Sequence, residues 1–181
     1  MQYLGIAMQY LGIHSSLPIK VEGRQGPTNK FMRFSAYDDV HNVSSIIPQS
    51  VSGSSAVDGV SVDTQGYENA KLHIYAAEAT GSPSAGSLAV TLQESADGST
   101  NWSNALDNTG TVIGFTLTGL QAAAGVNAAR IEGLNLNRKR YLRIVVTPTF
   151  TGGSSPATLV YGEIIFGGAQ QLPVTTTQSN T

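Results

Sequence analysis

The feature that most constrains this chain is a series of short alternating runs between Gly66 and Gly168. In "AKLHIYAAE", Leu72, Ile74 and Ala76 point one way, and His73 and Tyr75 the other. "SLAVTLQES" places Leu88, Val90 and Leu92 on one face. "RYLRIVVTPTF" sets Leu142, Ile144 and Val146 against Tyr141, Arg143, Val145 and Thr147. "TVIGFTLTG" holds a strand over Val112 to Leu117, and "ATLVYGEIIFGG" one over Thr158 to Phe166. "ARIEGLNL" puts Ile131 and Leu134 near a strand broken at Gly133. Period-two alternation means strands with one buried face, because successive side chains leave a strand on opposite sides. Gly, Pro, Asn and Ser clusters bound each run. Six such strands in this span predict an all-β fold: a β-sandwich, jelly-roll-like, with an extended N-terminal arm. The rival helical stretch, "TGLQAAAGVNAARIEGL", is interrupted by Gly125 and reads as a loop with at most one helical turn.

Composition supports this class. Charged residues make up 12% of the 181, about half the usual share of roughly 25%. Ser, Thr, Asn and Gly take their place, which suits turn-rich β-structure. Cysteine is absent, so disulfides, thiolate nucleophiles and Cys-based metal sites are excluded. No apolar run approaches the ~20 residues of a membrane helix, and the start lacks the pattern of a signal peptide.

The chain divides by pattern into an arm (1–36), a connector with a first short strand (37–66), a sandwich body (67–168) and an extended tail (169–181). The arm carries Lys20, Arg24, Lys30 and Arg33 against one acid, Glu22. Residues 38–129 carry nine acids against Lys71, and residues 130–181 carry five basic residues against Glu132 and Glu163. A basic arm on an acidic body would steer docking onto an acidic surface, whereas the near-neutral total argues against nucleic acid as a partner. The arm opens "MQYLGIAMQYLGI", one hexapeptide written twice. Gly5 and Gly12 disfavour a coiled coil, and two copies are too few for a solenoid. The doubling fits a duplicated start, used as an apolar strap. Tyr3, Leu4, Tyr10, Leu11, Phe31 and Phe34 are the arm's candidate contacts with a neighbour.

The chain offers no catalytic constellation. His14, His41 and His73 are far apart and lack metal-ligand spacing, so no metal or cofactor is expected. Asp38-Asp39 reads as a turn or cap, because neighbours on an extended chain point apart. No nucleophile elbow or phosphate loop occurs. Two local motifs remain as surface-binding candidates. "NRKRYLR" gathers Arg138, Lys139 and Arg140 just before a strand, with Arg143 inside it. This is either a site for an acidic ligand or a solvated turn. "ESADGSTNWS" puts Trp102, the single tryptophan, after an Asp97-Gly98 turn. Its indole either presents a face to a sugar or closes the sandwich edge.

Taken in order, these motifs resemble a pattern found in tailed-bacteriophage virion structural proteins. Its parts are the lead-in Val62-Asp63-Thr64-Gln65-Gly66-Tyr67, the hairpin Leu92 to Trp102, the strand Lys139 to Arg143, and the ending Val160 to Val174. The resemblance covers residues 57–174 and points to proteins similar to capsid decoration, or cement, proteins. It implies a non-enzymatic protein on the outer capsid surface of the virion, assembled in the bacterial cytoplasm. It further implies a homotrimer that bridges major capsid protein subunits, without nucleic-acid or membrane partners. The alternative is a glycan-binding or adhesin-type module of a head fibre, or a tail or connector component, working through Trp102.

Overall fold

A computed structural model of the chain describes residues 40–121, 127–136 and 138–170. All of them lie in the second of two units, Phe34–Thr181; the first is Met1–Arg33. The described elements are strands: β1 (His41–Ser52), β2 (Val57–Asp58), β3 (Val62–Asp63), β4 (Asn69–Ala76), β5 (Ala85–Ser95), β6 (Ser103–Asn104), β7 (Gly114–Thr118), β8 (Asn127–Asn135), β9 (Tyr141–Thr151) and β10 (Ala157–Gly167).

They form two antiparallel sheets. One has the order β1-β10-β4-β8; the other runs β2-β9-β5-β6, with β3 also on β9 and β7 also on β5. β2 and β3 pair with successive parts of β9, at Val146 and Leu142, and so act as one interrupted strand. The pairings then nest: β1 with β10, β2/β3 with β9, β4 with β8, and β5 with β7. This is one long hairpin rolled over itself, so that β10 also meets β4 and β9 also meets β5. With β2 and β3 taken as one strand, every connection crosses between sheets except the run β5–β6–β7. That is the jelly-roll order, and the all-β sandwich expected from the alternation is what the chain adopts.

The core lies between the sheets and follows the period-two pattern. Leu72 and Ile74 of β4, Leu88 and Leu92 of β5, Leu142 and Ile144 of β9, and Ile164 and Phe166 of β10 are buried. Gly162 of β10 sits at the tightest point. A Cβ placed there would lie 2.4 Å from Ile74 Cδ1, 3.2 Å from Ile144 Cδ1 and 3.3 Å from Ile46 Cβ. The absent side chain lets β1, β4 and β9 close over β10. Ser45, wholly buried, joins the two sheets: its Oγ donates to Val60 O at 3.0 Å and accepts from Ile144 N at 2.9 Å.

Two stretches differ from their sequence reading. β1 is a full 12-residue strand where the pattern suggested a connector. Its alternation is scrambled by register shifts between Ser44 and Ile46 and between Ile46 and Gln49, and it carries Pro48. Bulges and proline belong to sheet edges, and β1 ends its sheet. β8 begins at Asn127, inside the Ala-rich stretch read as a loop. Pairing with β4 overrides the weak β preference of those alanines. The expected break at Gly133 is a bulge within the strand. Leu72 pairs Ile131 and Ala70 pairs Leu134, leaving one extra residue on β8, and Gly133 takes φ +68°. The structural claims made for the arm, Asp38-Asp39, His14 and residues 171–181 of the tail fall outside the described residues.

Candidate functional site

The sandwich brings the separate sequence motifs to one end of the sheet built on β9. β3 lies beside β9 on one side and β5 on the other, with registers Asp63↔Tyr141 and Glu94↔Leu142. Thr64 fixes the first contact: its backbone N and its Oγ1 both donate to Arg140 O, at 2.9 and 2.7 Å. Residues from three distant stretches of the chain thus become neighbours.

Each basic residue at this end meets a specific partner. Arg140 forks onto Asp63, with Nε 3.0 Å from Oδ1 and Nη2 2.7 Å from Oδ2. The hydrogen bonds from Arg140 hold the Asp63 carboxyl below its ordinary range, against a smaller opposing effect of burial. The Arg140 guanidinium also stands 5.2 Å from the centre of the Tyr141 ring. Arg143 donates from Nε and Nη2 to Gln93 Oε1, at 2.9 and 2.7 Å, and its Nη1 lies 2.9 Å from Asp58 Oδ2. Lys139 donates to Ser103 Oγ at 2.7 Å and lies 3.9 Å from Glu94. Arg138 donates from Nε to Asn135 O at 2.6 Å, with Nη1 3.8 Å from Glu94 Oε2.

Trp102 is half-buried, and the Arg143 guanidinium lies over its ring, 4.4 Å from the centre. Its loop is built by hydrogen bonds. Asp97 Oδ1 accepts from the N–H groups of Ser99 and Thr100, at 2.9 and 2.7 Å, and Oδ2 accepts from the Thr100 hydroxyl. Buried Ser95 accepts from the Asp97 and Gly98 N–H groups, and its Oγ lies 2.6 Å from Thr100 O. The Thr100 side chain, with the Thr100 and Ser99 amides, holds the Asp97 carboxyl far below its usual range.

This end therefore gathers Arg138, Lys139, Arg140 and Trp102, which the sequence named separately in two motifs, and adds partners that it did not name. Asp58, Asp63 and Glu94 place three carboxylates among four cations, and Gln93 holds the Arg143 guanidinium that covers the tryptophan. Asp63 lay within the quoted lead-in, but its partner is 77 residues away. Elsewhere, His41 stacks on Tyr67 with centres 5.9 Å apart, and His73 Nδ1 lies 3.6 Å from Glu163 Oε1. Among the described residues no three His, Asp or Glu side chains converge as metal ligands, and no helix is long and apolar enough to cross a membrane.

No family model and no curated protein matches the chain. Solved structures overlap with it loosely. The PBSX exported protein XepA matches with a TM-score of 0.43 and 15% identity, over 78% of this chain. The chain spans 42% of XepA's length. The Desmodium yellow mottle tymovirus structure matches with a TM-score of 0.29 and 14% identity, covering 77% of this chain and 92% of its own. The turnip yellow mosaic virus structure gives 0.32 and 11%, covering 98% and 94%.

Proposed function

We propose that the chain is a structural virion protein that binds the outside of a bacteriophage capsid and stabilises it by bridging major capsid protein subunits. One observation carries this reading. The motifs that resemble virion structural proteins are dispersed in sequence but pack against one another through side-chain contacts, Asp63 to Arg140, Glu94 to Lys139 and Trp102 to Arg143. They behave as the frame of a particular sandwich, with carboxylates beside cations rather than arranged around a substrate. A protein with this frame acts through its surfaces.

Binding only to the assembled shell stabilises that shell by mass action. An arm engaging a second subunit adds an intramolecular contact and multiplies affinity. Tyr3, Leu4, Tyr10, Leu11, Phe31 and Phe34 are the arm contacts under this proposal, and a homotrimer would present three arms. The purified protein is expected to bind expanded phage heads at micromolar concentration and to raise their disruption temperature. Absence of binding at that concentration refutes the reading. Deleting residues 1–36 is expected to weaken head binding far more than it lowers the melting temperature of the body; equal losses refute the arm.

A further inference from the structure

We infer that the cleft at the Phe150 end of β9, away from the charged cluster around Tyr141, binds a neutral saccharide. Ser52, Gly53 and Ser54 at the end of β1, Phe150 of β9, and Ser155 and Pro156 before β10 line it, around about 600 Å³. That volume lies in the range of small-molecule sites, about 300–1,000 Å³. Hydrogen bonds between loops fix its walls. Ser154 N donates to Gly81 O and Thr80 N to Ala157 O, both at 2.8 Å. Ser155 holds a φ of +49° directly before Pro156. That conformation costs a non-glycine residue about 1 kcal/mol or more and persists only where the surroundings impose it.

The lining selects the ligand's chemistry. The stretches that meet here, 52–57, 79–87 and 147–157, hold no Asp, Glu, Lys or Arg. An ion entering the cleft would lose water without gaining a countercharge. The floor is apolar, with Phe150 and Pro156 half-buried. Gly86 seats the Phe150 ring, since a Cβ there would lie 3.1 Å from its Cδ1 and 3.3 Å from its Cε1. The rim carries hydroxyls. Those of nearby Thr80, Ser84 and Thr158 are taken by backbone carbonyls, at 3.2, 2.9 and 2.6 Å. Those of Ser52, Ser54 and Ser155 are on exposed residues and have no hydrogen-bond partner among the described residues. A hydroxyl both donates and accepts, as each hydroxyl of a sugar does. A pyranose combines such groups around its edge with an apolar C–H face, which matches free hydroxyls beside an aromatic wall. Trp102, the residue the sequence suggested for a sugar, lies at the other end of the sheet with Arg143 over its ring.

The test places the full chain on an array of neutral and acidic glycans, then titrates the strongest hit by amide NMR. The expected result is binding to neutral glycans, with the shifted amides at Ser52, Gly53, Ser54, Phe150 and Ser155. Phe150→Leu keeps an apolar floor but loses the ring, and Ser54→Leu removes a hydroxyl and fills the mouth. Each should weaken binding about fivefold or more. Trp102→Ala should bind unchanged. Melting curves accompany each variant; if Phe150→Leu fails to fold, Ser54→Leu and the positions of the shifted amides decide. No neutral hit, a preference for acidic glycans, shifts confined to other residues, or affinity indifferent to both substitutions overturns the proposal. Affinity lost in Trp102→Ala overturns it as well and returns the sugar to the tryptophan loop. The experiment uses no capsid, so its failure leaves capsid binding untouched, and failure to bind heads leaves the cleft untouched.

Discussion

Arg140 and Arg138 stand two residues apart in one basic run, and their surroundings differ completely. Arg140 lies on an exposed surface with its guanidinium forked onto Asp63. Arg138 is largely buried, makes one short bond to a backbone carbonyl, and keeps a nitrogen without an acceptor. The first completes a contact within the fold, while the second lines a groove beside Ile131 and Leu134. A run of positive charge in a sequence is thus neither a binding patch nor a solvated turn as a whole. Each cation takes the role that burial and its cross-strand neighbours leave to it.

The comparison predicts a graded series of losses. Arg143→Ala should cost most, about 1–3 kcal/mol in urea unfolding, because it removes charge-assisted bonds to Gln93 and Asp58 and the cover over Trp102. Tryptophan emission should shift to the red in the same variant; an unshifted spectrum would mean the indole is held by something else. Ser95→Ala should cost about 1–2 kcal/mol, since it strips an acceptor from the Asp97 and Gly98 amides. Faster hydrogen exchange at Ser99 and Thr100 would report the loosened loop. Arg138→Gln should cost about 1 kcal/mol or less, one backbone contact being lost while the groove stays open. If it destabilises as much as Arg143→Ala, the contrast between the cations fails.

The smallest effect is on acid titration. Asp63 and Asp97 both have carboxyls held below the ordinary range, Asp63 chiefly by Arg140 and Asp97 chiefly by Thr100. A lowered native value means that more protons are bound when the chain is unfolded. Their contribution is therefore complete above about pH 4 and is lost as pH falls through the native values. Asp63→Asn should flatten the acid limb of stability only slightly, and salt should shrink that difference further. A variant with an acid limb as steep as that of the parent would show that the pair contributes nothing.

Much of the sandwich was legible because β4, β5, β9 and β10 each bury one face. Leu72, Leu92 and Ile144 are assigned to one buried face by alternation alone, and they are core residues. β1 was hidden for a physical reason: bulges around Ser44–Gln49 break the period that would reveal it. The start of β8 was hidden because its alanines carry little preference, and pairing with β4 supplies the strand. At the candidate site the sequence named Arg138, Lys139, Arg140 and Trp102 but not their partners. Those lie 77 residues away for Arg140 and 50 for Arg143. Leu106 carried no signal, since an isolated apolar residue in a loop is ordinary, and Val112, read as the start of a strand, lies before β7 in a bridge to Leu106.

By itself, then, the sequence determined the class of structure. Alternation sets which face of a strand avoids water, and Gly, Pro and Asn set where the chain turns. Both are local properties, written within a few residues. Tertiary structure decided which strands became neighbours, and with that which charges met. Rolling the nested hairpin brings Asp63 to Arg140 and Arg143 over Trp102. Those outcomes depend on contacts across the whole chain length, which no local pattern encodes.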